Sequence, residues 1–311
     1  MALVFFPDRR PTMREYAAVG WYNLWLFVST FIIYALCVLS LAPFNVWPPR
    51  MQRRVASVLL RCSRFFWRWP FAMCPWIRTE LVGLDVASRQ LGSSGKPVLV
   101  IANHTSFIDS MLFAAHTDFR FIERMVTLAS SHLFKITLLG TIMRSMGHIA
   151  VHFRDHKNND DFSTSPEKKD HMLNQINAHL STGGWICMYP EGQLHRGHGS
   201  CNTTTLQPFR VGGLKIALQH DMEIWAWVSK GNNDCWPRSA IGGLPSSIKA
   251  RLIPLAPKGS CALLRSLKQL DPGETTEHDP DKLMDSLPLL VSHLQQRMQE
   301  TLDDLYEGKQ R

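Results

Sequence analysis

The sequence predicts an α/β protein, a mixed, mainly parallel sheet covered by helices, behind an amino-terminal membrane helix and an amphipathic interfacial helix. Three observations predict it. From residue 79 onward short apolar, β-branched runs alternate with helical patterns, the arrangement that builds parallel sheets with both faces covered. From Ala17 to Ala42 no residue is charged. Between Glu15 and Glu80 there is no Asp or Glu, while Arg50, Arg53, Arg54, Arg61, Arg64, Arg68 and Arg78 all occur. The chain accordingly reads as a tail (1–16), a membrane-anchoring two-helix segment (17–78) and an α/β domain with a carboxy-terminal covering helix (79–311).

In the anchoring segment, "WLFVSTFIIYALCVLSL" is almost wholly apolar, and roughly 20 such residues cross the hydrocarbon core of a bilayer. Whether it spans or re-enters the bilayer stays open. The next segment, "MQRRVASVLLRCSRFFWRWPF", alternates arginine with Val, Leu, Phe and Trp at helical spacing. Arginines that reach phosphate headgroups beside aromatic residues describe a helix lying in a membrane interface. The basic flank places the chain after residue 45 on the cytosolic side.

In the domain, "TELVGLD" (79–85), "PVLVIAN" (97–103), "RMVTLAS" (124–130), "HIAVHF" (148–153), "WICMYPEG" (185–192), "EIWAWVS" (223–229) and "ARLIPLA" (250–256) read as strands. Helices are expected over "SFIDSMLFAA", with Thr105 or Ser106 as N-cap and Asp109 in its first turn, and over "HLFKITLLGTIMRSMG", "HMLNQINAHL" and "RVGGLKIALQH". In the last helix Leu290, Leu294, Met298, Thr301 and Leu305 share one stripe.

The net charge of +8 sits next to the apolar helix and no nucleic-acid motif accompanies it, so membrane lipid, not nucleic acid, is the expected partner. Seven cysteines without a CxxC pair suit a reducing compartment. Two histidine sets raise a metal site: His195, His198 with Cys201, and His148, His152, His156. The first lacks an evident fourth ligand and the second alternates badly with its strand, so no metal is expected.

In sheets of this class ligands collect at the carboxyl ends of the strands. Three polar features fall there: Asn103-His104 followed by Asp109, Arg154 after the fourth strand, and Glu191-Gly192 after the fifth. In this order, His104-x4-Asp109, Arg154 and Tyr189-Pro190-Glu191-Gly192, with "QPFRVGGLKIALQ" behind, the chain resembles the glycerolipid acyltransferase family with the H-x4-D motif, whose members include 1-acyl-sn-glycerol-3-phosphate (lysophosphatidic acid) acyltransferases. It departs from that family where Gln193 and Leu194 replace a threonine and a basic residue, and where Ser130 replaces a common lysine.

The resemblance implies transfer of a fatty acyl group from acyl-CoA, a co-substrate and not a bound cofactor, to the sn-2 hydroxyl of lysophosphatidic acid, giving phosphatidic acid. The chemistry needs a base for the attacking hydroxyl, and imidazole suits neutral pH. His104 is that base, and Asp109 fixes its tautomer and stabilises the imidazolium. Arg154 and, second, Arg210 are expected to bind the acceptor phosphate. Glu191 is expected to orient the glycerol hydroxyl or an arginine, and Gly192 to allow close backbone approach or donate its amide. Other acceptors, a CoA-independent transacylase and a non-catalytic membrane scaffold are the alternatives. The endoplasmic reticulum, with the domain facing the cytosol, is the expected location.

Overall fold

The computed structural model describes residues 12–41, 48–153, 166–195, 203–238, 240–268 and 284–309. The chain begins with α1 (Met13–Leu41) and α2 (Pro49–Ala72). Then follow β1 (Ile77–Val82), α3 (Leu84–Gln90), β2 (Val98–Ala102), α4 (Asp109–His116) and α5 (Phe119–Ile122). Next come β3 (Met125–Ser130), α6 (Thr137–Ser145), β4 (Ile149–Val151), α7 (Pro166–Leu180) and β5 (Trp185–Met188). The chain closes with α8 (Val211–Gln219), β6 (Glu223–Lys230), α9 (Asn232–Cys235), β7 (Ser246–Ala256), α10 (Ser260–Leu267) and a carboxy-terminal helix (Leu287–Glu307). It divides into two compact units, one built on Trp76–Asp109 and Met188–Arg311 together with the residues before Tyr16, the other on Tyr16–Pro75 and Ser110–Cys187.

In the first unit the strands lie in the order β1-β7-β6-β2. β1 pairs parallel with β7 and β2 parallel with β6, while β6 and β7 run antiparallel. All five residues of β2 and seven of the eight of β6 are buried, which is why both read as unbroken apolar runs instead of alternating ones. Glu223 opens β6 with its carboxylate buried, accepting from the amides of Gly92 and Ser94 and from Trp225 Nε1 at 2.8–3.0 Å. The segment Gly92–Lys96 is therefore a structured turn held by that carboxylate. The stripe Leu290, Leu294, Met298, Thr301 and Leu305 is buried, as its spacing predicts.

In the second unit β3 pairs parallel with both β4 and β5, so both units are mainly parallel and the antiparallel β6–β7 pairing of the first unit makes the sheet mixed. α1 starts at Met13, earlier than the apolar run, because Thr12 and Glu15 cap it: the Thr12 amide donates to the Glu15 carboxylate and the Glu15 amide to Thr12 Oγ1. At 29 residues and about 1.5 Å per residue it is long enough to cross a bilayer. Only 17% of its most apolar window is buried, so it is not the core helix that such a sequence often forms. α2 packs Leu59 and Leu60 into a cluster with Ile33, Cys37, Ile142 and Met146. Trp25 meets Trp69 edge-on at 5.8 Å.

Several boundaries differ from the sequence expectation. The first strand ends at Val82 because Gly83 turns the chain at φ 64° and α3 follows. The regular helix after Asn103 begins at Asp109, and Ser106 caps the turn before it, its Oγ accepting the Ile108 amide at 3.3 Å while donating to the Trp236 carbonyl at 2.7 Å. The fourth strand shrinks to 149–151, His148 being drawn inward to accept the Thr127 amide on Nδ1. The short helices α3, α5, α9 and α10 carry no pattern that periodicity resolves.

Candidate active site

The site is built where β2 stops. Asn103 continues the ladder to β6 with its side chain: its Nδ2 donates to the Ser229 carbonyl at 2.8 Å and its Oδ1 accepts the Ser229 amide at 2.9 Å. A buried asparagine can satisfy both backbone groups of its neighbour, so the strand ends here without leaving them unpaired. The chain is then free to turn, and His104 is the first residue of the turn.

Asp109 sits one turn ahead, 2% exposed, and organises that loop. Its Oδ2 lies 2.9 Å from His104 Nδ1 and accepts the amides of Thr105 and Ser106 at 2.8 and 2.9 Å. Its Oδ1 accepts from Asn232 Nδ2 at 2.6 Å. With the carboxylate against Nδ1, the proton of the neutral ring rests there and Nε2 carries the lone pair. Nε2 makes no hydrogen bond among the described residues, and the imidazole is 22% exposed. One nitrogen is held and the other is offered to solvent.

Two further contacts fix the ring. Tyr189 stacks on it with centroids 4.1 Å apart. Glu191 accepts the His104 main-chain amide on Oε1 at 2.9 Å, and its Oε2 accepts the Gln207 amide and side chain at 3.1 and 3.2 Å. Burial pushes the Glu191 carboxyl above its usual range, and these three donors oppose that. The expected role of Glu191 in orienting a hydroxyl or an arginine does not match this placement. With 1% exposure and both oxygens taken by His104 and Gln207, it positions the histidine backbone.

The Gly192 amide is not offered to a ligand as expected, since it donates to the Tyr189 carbonyl at 3.0 Å and closes the turn. What the site uses is its missing side chain. Its φ is +74°, and a Cβ there would stand 3.1 Å from Arg210 Cγ. Arg210 thus lies against the Glu191-Gly192 turn, and its amide donates to the Pro190 carbonyl at 2.7 Å. Arg154 lies outside the described residues.

Asn232 is the residue that sequence reasoning missed. It follows Gly231, whose φ is +80° and whose Cβ would collide with the Ser247 carbonyl at 2.2 Å, so only glycine passes there. The turn drops Asn232, fully buried, onto Asp109 and onto Ser229 Oγ at 2.8 Å. A "GNN" stretch behind an apolar strand was the available signal. Among the described residues no three His, Cys, Asp or Glu are grouped to hold a metal. His195 Nε2 contacts the Thr205 carbonyl, while His156, His198 and Cys201 lie outside the described residues.

The arrangement is a carboxylate-held imidazole with a free outer nitrogen, able to remove a proton from a hydroxyl. The Acyltransferase family model matches residues 80–230, which include His104, Asp109, Glu191, Gly192 and Arg210. Among solved structures, that of the 1-acyl-sn-glycerophosphate (LPA) acyltransferase PlsC from Thermotoga maritima aligns with a TM-score of 0.59 and 16% identity. The alignment covers 94% of this chain and 97% of that one, and it shows a shared fold. No curated protein matches the chain. The match to the Acyltransferase family model and the shared fold point the same way as the geometry of the site.

Proposed function

We propose that this protein is an acyltransferase that works at a membrane, moving a fatty acyl group from acyl-CoA to the sn-2 hydroxyl of lysophosphatidic acid to give phosphatidic acid. The observation that carries the reading is the 2.9 Å contact of Asp109 with His104 Nδ1, which leaves Nε2 open to a substrate hydroxyl. PlsC, which shares the fold, is a 1-acyl-sn-glycerophosphate (LPA) acyltransferase.

The hydroxyl oxygen attacks the thioester carbonyl as its proton passes to Nε2. The imidazolium that forms is stabilised by the Asp109 carboxylate. Collapse of the tetrahedral adduct breaks the carbon–sulfur bond, and the proton returns to the departing thiolate, giving free CoA. No protein nucleophile takes part. A general base of this kind contributes about 10²–10⁴-fold. Arg210, and Arg154 beyond the described residues, are the donors assigned to the acceptor phosphate, a planar guanidinium suiting two oxygens at once. The apolar, largely unburied α1 and the arginine-rich α2 hold the domain at the bilayer where both amphiphiles reside, with the endoplasmic reticulum and a cytosolic face as the setting.

The test is acyl transfer in isolated membranes with labelled oleoyl-CoA and a panel of lysophospholipids, wild type beside His104→Ala. Phosphatidic acid formed by wild type alone supports reaction and base together. Product with a different lysolipid keeps the base and moves the acceptor. Absence of any CoA-dependent product overturns the reading in favour of a transacylase or a scaffold.

A further inference from the structure

The second unit holds a cavity lined by none of the residues that build the His104 site. It has a volume of about 520 Å³, within the usual range for small-molecule sites, and is lined by Arg50, Arg53, Arg54 and Arg124. Gly147, Gly183 and Gly184 form part of its wall. The one carboxylate in the lining, Glu123, is already engaged by Arg61. His179 Nε2 is committed to the carbonyls of Arg124 and Trp185, both 3.0 Å away, so the positive charge comes from the arginines. Among the described residues Arg50, Arg53 and Arg54 have no carboxylate within ion-pair distance. Arg50, Arg53 and Arg54 are exposed, so the hollow offers solvent-facing guanidinium groups to a ligand, and phosphate is the anion that their fork geometry fits.

The same helix says which phosphate. At 100° per residue Arg50, Arg54 and Arg61 form one stripe of α2, and Met51, Val58 and Phe65 form a second, about 60° round. These three apolar residues are exposed by 42%, 55% and 54%. A helix with an uncovered apolar stripe beside an arginine stripe presents both to a bilayer surface, apolar side to the acyl region and arginines to the headgroups.

We propose that the arginine cavity on α2 binds the phosphate of an anionic phospholipid headgroup that is not a substrate, making the membrane attachment of this protein selective for anionic lipid. This rests on the interfacial reading of α2 and not on acyl transfer, so a binding readout separates the two.

The experiment follows the thermal unfolding midpoint of the full chain in neutral detergent, titrated with short-chain phosphatidylglycerol or phosphatidylcholine. Wild type is expected to show a saturable rise with phosphatidylglycerol and none with phosphatidylcholine. Arg53→Gln combined with Arg54→Gln raises the half-saturating concentration roughly tenfold, the loss of charge-assisted contacts. Arg68→Gln, on the same helix but outside the cavity, leaves it unchanged. Equal responses to both lipids, or an equal loss in Arg68→Gln, overturn the proposal in favour of diffuse attraction. Stabilisation by adenosine 3′,5′-bisphosphate and not by phosphatidylglycerol also overturns it, assigning the cavity to the nucleotide end of the donor. Should the double variant fail to fold, Arg50→Gln reads the same effect.

Discussion

His104 and His116 flank the same short helix, α4, and have opposite chemistry. His104 has a buried carboxylate on Nδ1 and a free Nε2. His116 closes the helix half-buried, its ring edge-on to Phe71 at 5.6 Å, its Nε2 buried and unpartnered, and Arg64 and Arg68 nearby. Burial, and secondarily the two arginines, push its pKa down to about 4. The difference teaches that neither residue type nor proximity to a helix end makes a base. A carboxylate that rewards the imidazolium makes one, and a dry, positively charged surrounding unmakes it.

The largest effect should come from exchanging the two. His104→Ala is expected to lower acyl transfer by about 10²–10⁴-fold, whereas His116→Leu, which fills the same space, leaves the rate unchanged. Steady-state rates of both in membranes check this, and comparable losses would break the contrast.

Asp109→Asn sharpens it. An amide oxygen can still accept from Nδ1 if Asn232 rotates its own amide, so the tautomer survives and the charge is lost. Turnover should fall about 10²-fold with little change in KM. Asn232→Ala acts one step further out. It frees Asp109 Oδ1 without removing charge, and should lower kcat about tenfold, again with KM unchanged. A rise in KM alone would instead place Asn232 at the acceptor.

The smallest effects are read in stability against pH. His116 titrates at about 6.5 when unfolded and about 4 when folded, so the stability it contributes is full above pH 6.5 and is lost as pH falls towards 4. The loss amounts to about 3 kcal/mol, and His116→Leu should remove this acid lability in urea titrations at successive pH values. Glu191 has the opposite sign. Its folded pKa is raised above 4.5, so protonation favours the fold and stability falls as pH climbs through that raised value. Glu191→Gln should abolish that dependence. It should also cost about 1–3 kcal/mol at neutral pH, because the Gln207 amide then faces a donor.

The apolar helix, the arginine run, the unbroken strands β2 and β6 and the pairing of His104 with Asp109 were legible in the sequence. Each is a short-range pattern: uniform apolarity over a membrane's thickness, charge excluded from a stretch, or two side chains within one turn of chain. Tertiary structure alone decided what Glu191, Gly192, Asn232 and Asn103 do. Glu191 reaches the His104 amide across 87 positions, and Asn232 reaches Asp109 across 123. No local periodicity encodes such contacts, because they exist only once parallel strands far apart in sequence have brought their carboxyl ends together. A carboxylate in a turn reads as a substrate ligand until the fold shows which backbone amides are already waiting for it.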